Sequence, residues 1–250
     1  MRNKELDAAL LLTEGAVYDI LNGGRNKLVS VYVASPLVWG IHVSASSSIS
    51  RIEGIEGKRF AISRFGSGSH LIATVDAAER GFSVGDMEFV VVDDIEGARS
   101  ALANNEADVF LWEKHMTQPL VDSGEFRRIG ERIVPWPAFV VSVRVDYLDT
   151  HSNTVHEALD IVADFATRLK CDPNGANRIS AAYGIGQADA RSWLGSVQWS
   201  HDRRCPQAAI DRIVAALLSL DLVQSAESIP SGRARLNRIW ANIESRAVPL

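Results

Sequence analysis

The chain has 250 residues, 46% of them hydrophobic and 23% charged, with a formal net charge of −5 at pH 7. This mixture is typical of globular proteins and excludes broad disorder, while the negative charge offers no basic surface for nucleic acid. Its apolar runs are far shorter than the roughly 20 residues that span a bilayer, so we expect no membrane insertion.

Strand and helix signals alternate, which predicts an α/β fold with mixed, mostly parallel sheets and a helical C-terminal region. The predicted strands are Ala8–Leu12, Lys27–Ala34, Val38–Ser44, Lys58–Ser63, Met87–Val92, Ala107–Trp112, Phe126–Ile133 and Ala138–Val143. The predicted helices are Glu14–Leu21, Leu71–Gly81, Ile95–Asn104 and Glu113–Ser123, and then, after Thr154, Val155–Leu169, Asn177–Tyr183, Gln187–Gly195, Pro206–Leu220 and Arg233–Arg246.

A short repeat favours two related lobes. Residues Asn3–Leu10 and Asn104–Leu111 share Asn, Glu, Asp and Leu at a constant offset, and each copy runs into a short apolar strand. A series of strands and helices precedes the second copy, whereas two residues precede the first. We therefore expect a two-lobed ligand binder whose first lobe lacks its opening strands.

Two proline-containing breaks divide the predicted elements. Ser35-Pro36 and Trp136-Pro137 bracket one α/β unit of the size of a small domain. We predict lobe one from residues 1–34 and 138–250, and lobe two from residues 35–137. The two crossings between the lobes would act as a hinge and would leave a cleft between them.

The turn Gly66–His70 is the sharpest candidate site. A helix that begins in small residues presents free backbone N–H groups and the positive end of its dipole, to which an anionic or polar ligand can bind. Ser67, Gly68, Ser69 and His70 would contact the ligand. The alternative is an ordinary strand–helix turn with a serine cap. The pattern is neither a P-loop nor a nucleophile elbow.

Other candidates lie at strand ends and at the two crossings. Thr13 and Glu14 follow the strand Ala8–Leu12 and are predicted to contact the ligand, or else to cap a helix. Trp112 would stack on a ring and Glu113 would meet a cationic group, the alternatives being a core tryptophan and a solvated carboxylate. Trp136 and Ser35 occupy the crossings, where Trp136 would floor the cleft or pack in the core.

Catalytic and metal-binding patterns are weak. The six histidines show no metal-ligand spacing such as HExxH, and Cys171 and Cys205 are too few for a metal cluster or a disulfide framework. No signal-peptide pattern opens the sequence, so we expect a cytoplasmic protein. We also expect no cofactor. A leader outside residues 1–250 would instead favour a periplasmic or extracytoplasmic location.

Five segments, in this order, resemble the type 2 periplasmic-binding-protein superfamily, the substrate-binding proteins of ABC importers: Lys4–Leu10, Tyr32–Ile41, Gly57–His70, Glu106–Val109 and Tyr183–Ile185. The resemblance is to the branch of nitrate, sulfonate and thiamine-precursor binders and the fungal thiamine-pyrimidine proteins. It implies a monomer that captures a small polar or anionic molecule by hinge closure, with an ABC permease as partner.

Two departures from that family matter. Its members usually begin with a strand, a helix and a second strand, so the first lobe is expected to be N-terminally incomplete. The cysteine-rich run of its pyrimidine synthases, which act on pyridoxal phosphate, is absent, so that activity is not carried over. Two alternatives stay open: an enzyme on this scaffold with His70 or Glu113 as acid/base, and a truncated paralogue without ligand, which would have an unpaired sheet edge at Ala8–Leu12.

Overall fold

The structure is a computed structural model that describes residues 1–200, 203–204, 207–223, 237 and 239–241. Its strands are β1 (Ala8–Leu12), β2 (Asn26–Val33), β3 (Val38–Ser44), β4 (Arg59–Ile62), β5 (Glu88–Val91), β6 (Val109–Glu113), β7 (Phe126–Ile133) and β8 (Phe139–Arg144). Its helices are α1 (Thr13–Leu21), α2 (Gly68–Glu79), α3 (Ile95–Ala103), α4 (Gln118–Asp122), α5 (Val145–Cys171), α6 (Gly175–Tyr183), α7 (Gln187–Ser196) and α8 (Gln207–Ser219).

The chain divides into two compact units. Unit 1 comprises Met1–Pro36, Pro135–Pro173 and Val197–Leu250, and unit 2 comprises Leu37–Val134 and Asn174–Ser196. The crossings lie within three residues of the predicted boundaries. The segment Asn174–Ser196, which contains α6 and α7, groups with unit 2, whereas the sequence placed it in lobe one.

Unit 1 is built on a three-stranded antiparallel sheet in the order β1-β8-β2. β8 is the central strand, and it pairs with β1 from Ala8↔Val143 to Leu12↔Phe139. The buried side chains of Val29, Val143, Val155 and Leu159 form an apolar cluster between this sheet and α5. Apolar residues of β2 and β8 therefore pack with the apolar face of α5 in one core.

Unit 2 is built on a five-stranded sheet in the order β5-β4-β6-β3-β7. A buried cluster on one side of the sheet joins α3 to strands β4, β6 and β7, with Phe110 and Phe126 among its largest members. Residues of α2, including Leu71 and Ile72, are fully buried as well.

The predicted mixed α/β class is confirmed, but antiparallel neighbours predominate among the described strands. β4 pairs in parallel with β5 and β6, whereas β3 and β8 are each antiparallel to both of their neighbours. The expected excess of parallel pairs is wrong because β3 and β8 each enter a sheet between strands that are distant in the chain, β6 and β7 for β3 and β1 and β2 for β8. The helical connection β4-α2-β5 joins the parallel pair β4 and β5, as expected for a crossover through a helix.

The helices α5 and α4 differ most from prediction. α5 begins at Val145, ten residues before the predicted start at Val155, and its non-helical residue His151 marks a change of direction. α4 covers only Gln118–Asp122, with Pro119 at its beginning, because proline is tolerated in a first turn but not in a helix interior.

The predicted helix Arg233–Arg246 lies largely outside the described residues, as does Cys205. In the described part of the chain, no helix combines the length and apolar character needed to cross a bilayer.

Candidate functional site

The turn between β4 and α2 in unit 2 is closed by its own serines. Ser67 is the N-cap of α2, and its Oγ accepts a hydrogen bond from the backbone N–H of His70 at 3.4 Å. The Oγ of Ser69 accepts from the backbone N–H of Ser63 at 3.0 Å and lies 3.0 Å from the Oγ of Ser67. These bonds tie the end of the strand to the first turn of the helix, so the backbone there is held in one conformation.

His70 supports the same turn from the helix side. Its Nδ1 lies 3.1 Å from the backbone N–H of Gly66, which donates to it, so the ring carries its proton on Nε2. Burial lowers the pKa of His70, which keeps the ring neutral. Its edge or face meets the rings of Phe89 and Phe65 at centroid distances of 4.7 and 5.3 Å. The predicted donor is therefore a buried, neutral imidazole.

Two backbone N–H groups at this helix end have no hydrogen-bond acceptor among the residues that the structure describes. The first four N–H groups of an α-helix have no acceptor within the helix. At α2, the N–H group of Ser67 donates to the carbonyl oxygen of Arg64, and that of His70 donates to the Oγ of Ser67. Gly68 and Ser69 occupy the first two helical positions, where N–H groups and the helix dipole favour an anion or a polar oxygen.

Phe65 adds an exposed apolar surface beside the turn. Its side chain is 64% exposed, although its ring packs edge-on against His70 and Phe89. Gly66, next to it, has a φ of 75°, in the left-handed region that favours glycine. The turn therefore presents an aromatic face next to the polar N–H groups.

The second predicted group in unit 2 lies at the end of β6. Trp112 stacks on Phe110 at a centroid distance of 5.2 Å and packs against the α3 cluster. The Oε2 of Glu113 accepts a hydrogen bond of 2.7 Å from the backbone N–H of Met116. Both side chains are partly exposed. Ligand contact by Trp112 and Glu113 stays a prediction, since each already has a structural partner.

Unit 1 brings together the residues predicted at its own strand end and crossings. The hydroxyl of Thr13 donates to the carbonyl oxygen of Pro137 at 2.5 Å, and the Nε1 of Trp136 donates to the Oε2 of Glu14 at 2.8 Å. The Oγ of Ser35 accepts from the backbone N–H of Gln198 at 3.1 Å. Each of these side chains therefore has a structural partner within unit 1. Their contact with a ligand stays a prediction.

Among the described carboxyl groups of unit 1, Glu14 has the most strongly shifted pKa. It is 3% exposed, and its Oε1 has no hydrogen-bond partner among the described residues. Burial raises the pKa of Glu14 to about 7, against smaller effects of its backbone and of Trp136 that lower it. A substantial fraction of Glu14 is therefore protonated at neutral pH.

The sequence missed two polar features of unit 2. Ser63, at the end of β4, joins the serine cluster with its Oγ 3.4 Å from that of Ser69. His42 lies fully buried in β3, with its Nε2 3.0 Å from the Oγ1 of Thr117 and 3.3 Å from the Nε of Arg128. Ser63 could have been found as a polar residue ending an apolar strand, whereas a lone histidine in a strand gives no such signal.

No group of three potential metal ligands occurs in the described part of the chain.

Comparison with known proteins decides the fold. A family model described as Ca3427-like PBP matches residues 39–132. The solved structure of the Candida albicans CA3427 gene product, described as having the generic periplasmic-binding-protein fold, superposes with a TM-score of 0.84 at 22% identity, covering 96% of this chain and 81% of that one. This chain has the periplasmic-binding-protein fold.

Two sulfonate-binding proteins have the same fold. The alkanesulfonate-binding protein SsuA of Xanthomonas axonopodis pv. citri, bound to MOPS, has a TM-score of 0.75 at 17% identity, covering 94% of this chain and 80% of that one. The periplasmic aliphatic sulphonate-binding protein SsuA of Escherichia coli has a TM-score of 0.68 at 14% identity, covering 99% and 80%. No curated protein matches the chain. The resemblance to periplasmic binding proteins found in the sequence is confirmed.

Proposed function

We propose that this protein is a solute-binding protein that captures a small anionic molecule through the turn Gly66–His70. The observation that carries the proposal is the pair of N–H groups at Gly68 and Ser69, held in place by the bonds of Ser67, Ser69 and His70. A binding site whose donors are already fixed loses little conformational entropy when the ligand arrives.

The chemistry of the turn favours an anionic head group with an apolar tail. Sulfonates and related oxyanions offer several acceptor oxygens to backbone N–H groups. The exposed ring of Phe65 lies beside the turn and would contact the carbon chain of such a ligand. The description of one structural neighbour as an alkanesulfonate-binding protein bound to MOPS supports this choice.

Binding without turnover is the better supported reading. The two groups considered as acid/base catalysts are both occupied by backbone N–H donors, His70 by that of Gly66 and Glu113 by that of Met116. The structural neighbours described above as binding proteins favour the same conclusion. The description of one of them as periplasmic favours the extracytoplasmic alternative for this protein. Another structural neighbour, from Staphylococcus aureus, is described as the ligand-binding component of an ABC-type import system, which favours an ABC permease as partner.

The test is calorimetric titration of the purified protein with MOPS, ethanesulfonate, sulfate and nitrate. 4-Propylmorpholine, which is MOPS without its sulfonate group, is the control ligand. We expect a sulfonate to bind and 4-propylmorpholine not to bind. Failure of all four anions to bind would contradict an anion site at this turn.

A matched pair of variants assigns the binding to the turn. Gly68→Pro removes one ligand-facing N–H group, and proline is tolerated at a first helical position after an extended residue such as Ser67, whose ψ is 168°. Gly68→Ala adds a Cβ atom but keeps the N–H group. Since a hydrogen bond to a charged group contributes about 1.5–3 kcal/mol, Gly68→Pro should weaken anion binding about 10- to 100-fold relative to Gly68→Ala. Equal affinities of the two variants would remove the turn from the site.

A further inference from the structure

The C-terminal half of α2 carries a buried group of charges outside the anion turn. Asp76 is 2% exposed, and its Oδ2 accepts a hydrogen bond of 2.7 Å from the Nε of Arg80, one helical turn later. Arg132, near the end of β7, pairs through its Nη1 with the Oε2 of Glu79 at 2.6 Å. The bond from Arg132 lowers the pKa of Glu79, so this pair is charged at neutral pH. Two carboxylates and two guanidinium groups therefore meet between α2 and β7.

Three buried polar atoms next to α2 lack a hydrogen-bond partner in the described part of the chain. They are the Oδ1 of Asp76, the Nε of Arg132 and the indole Nε1 of Trp39. A buried donor or acceptor that stays unpaired costs the free energy of its lost hydration. Buried polar groups of native proteins are therefore nearly always satisfied, either by the protein or by ordered water.

The sheet places Trp39 beside Arg132. Trp39 lies on β3, is 3% exposed, and is the register partner of Arg132 in the antiparallel pair of β3 and β7. Side chains of opposed residues point to the same face of a sheet, with Cβ atoms about 4.5–5.5 Å apart. Since Arg132 reaches Asp76 and Glu79 of α2, Trp39 points to the α2 face as well. The three unpaired atoms therefore share one region between α2 and the strands β3 and β7.

The separation of Asp76 and Arg132 has the size of a water-mediated contact. The Oδ1 of Asp76 lies 4.0 Å from the Nη1 of Arg132, which is too long for a direct hydrogen bond. Two atoms that each bond to the same water at about 2.8 Å are about 4–5 Å apart. The geometry therefore has room for one bridging group between the two side chains.

The chemistry of the three atoms selects the bridging group. The N–H groups of Arg132 and Trp39 need an acceptor, whereas the Oδ1 of Asp76 needs a donor. A metal cation cannot accept from the N–H groups, and an anion without a proton cannot donate to the carboxylate. A hydroxyl group can do both. Because Asp76 and Trp39 are almost completely buried, the hydroxyl compound that fits is water, for which three polar partners are usual.

We propose that Trp39, Asp76 and Arg132 hold one buried water molecule that joins α2 to β3 and β7. The water accepts hydrogen bonds from the N–H groups of Trp39 and Arg132 and donates one to the Oδ1 of Asp76. Trp39 and Arg132 each lie two residues inside the ends of the unit 2 segment Leu37–Val134. The water therefore ties the C-terminal half of α2 to both strands at the points where this segment begins and ends. The inference does not depend on the ligand proposed above.

A crystal structure at a resolution that shows ordered water is the direct test. We expect one water within about 3.2 Å of the Oδ1 of Asp76 and of at least one of the two N–H groups. A direct hydrogen bond between Asp76 and Arg132, with the indole N–H of Trp39 bonded to another protein group, would overturn the proposal. A metal ion or an anion at this position would overturn it as well.

Nuclear Overhauser contacts between indole N–H groups and water test the site in solution. The indole N–H of Trp39 should show a cross-peak to a long-lived water, and Trp39→Phe assigns that signal by removing it. The indole N–H of Trp136 is the internal control, because it donates directly to Glu14 and should show no such cross-peak. The measurement is made at pH 8, where Glu14 is mostly ionised and has no exchangeable proton of its own. A wild-type protein without the Trp39 cross-peak would contradict the proposal.

A pair of variants separates the water from the charges around it. Asp76→Leu removes the acceptor of the water proton and should abolish the cross-peak at Trp39. Glu79→Gln weakens the ion pair with Arg132 but keeps all three partners of the water, so the cross-peak should persist. A cross-peak that survives Asp76→Leu would show that the water is held elsewhere.

Discussion

Replacing Glu14 by glutamine should change how the stability of the protein depends on pH. The pKa of Glu14 is raised from 4.5 to about 7 in the folded protein, mainly because the carboxyl group is buried. Unfolding returns the group to water, where its pKa is ordinary. Stability is therefore fully present below pH 4.5 and is lost as the pH rises through 7, since the folded protein keeps a proton that the unfolded chain releases.

The magnitude follows from the two pKa values. A difference between 7 and 4.5, at about 1.4 kcal/mol for each pKa unit, costs the wild type about 3 kcal/mol at pH 8 but less than about 1 kcal/mol at pH 5. The glutamine variant carries no such penalty. Its amide group would be buried at the position of the unpartnered Oε1, but that cost does not vary with pH.

The measurement is urea unfolding of the wild type and of Glu14→Gln at pH 5, 6, 7 and 8. The free energy of unfolding of the variant, relative to the wild type, should increase by about 2–3 kcal/mol between pH 5 and pH 8. Glu5→Gln removes an exposed glutamate and is the control for loss of charge; its curve should run parallel to that of the wild type. Parallel curves for Glu14→Gln would refute the argument that burial keeps this carboxyl group protonated.

Two further predictions concern unit 2. Burial and the charge of Arg128 lower the pKa of His42 to about 4, so acidification from pH 6.5 to 4 should destabilise the wild type by up to about 3 kcal/mol through this group, and urea unfolding of His42→Gln should lack that component. An equally steep loss in the variant would show that other groups cause the acid unfolding. Gly97→Ala should lower the free energy of unfolding by about 1–3 kcal/mol, because the new Cβ atom would collide with the backbone carbonyl of Val92. Gly85→Ala, where nothing lies within 4 Å of the added atom, is its control in the same thermal or urea measurement, and equal losses in the two variants would exclude the collision as the cause.

The elements that the sequence predicted well are those with strong local signals. β1, β3 and β7 have the predicted bounds because each is an apolar or alternating run between turn-forming residues. The start of α2 was also near its prediction, since a serine cap after a glycine-containing turn is a local pattern. Such signals depend on neighbours a few residues away.

The features that the sequence did not predict depend on residues far apart in the chain. Trp136 and Glu14 form a hydrogen bond although 122 positions separate them. His42 is held by Thr117 and Arg128, which are 75 and 86 positions away. β3 pairs with β6 and β7, and β8 pairs with β1 and β2, although none of these neighbours precedes or follows it directly in the chain. Periodicity and capping patterns contain no information about such pairings.

The position of β8 has a consequence for biosynthesis. β1 and β2 do not pair with each other, because β8 lies between them and is encoded more than a hundred residues after β2 begins. A ribosome therefore releases β1 and β2 long before the strand that joins them has been made. All five strands of the other sheet are complete by Ile133, so that sheet can form first. During translation, the apolar residues of β1 and β2 must stay unpaired until Arg144 has left the exit tunnel, and this interval is when nascent chains are most exposed to aggregation and to chaperones.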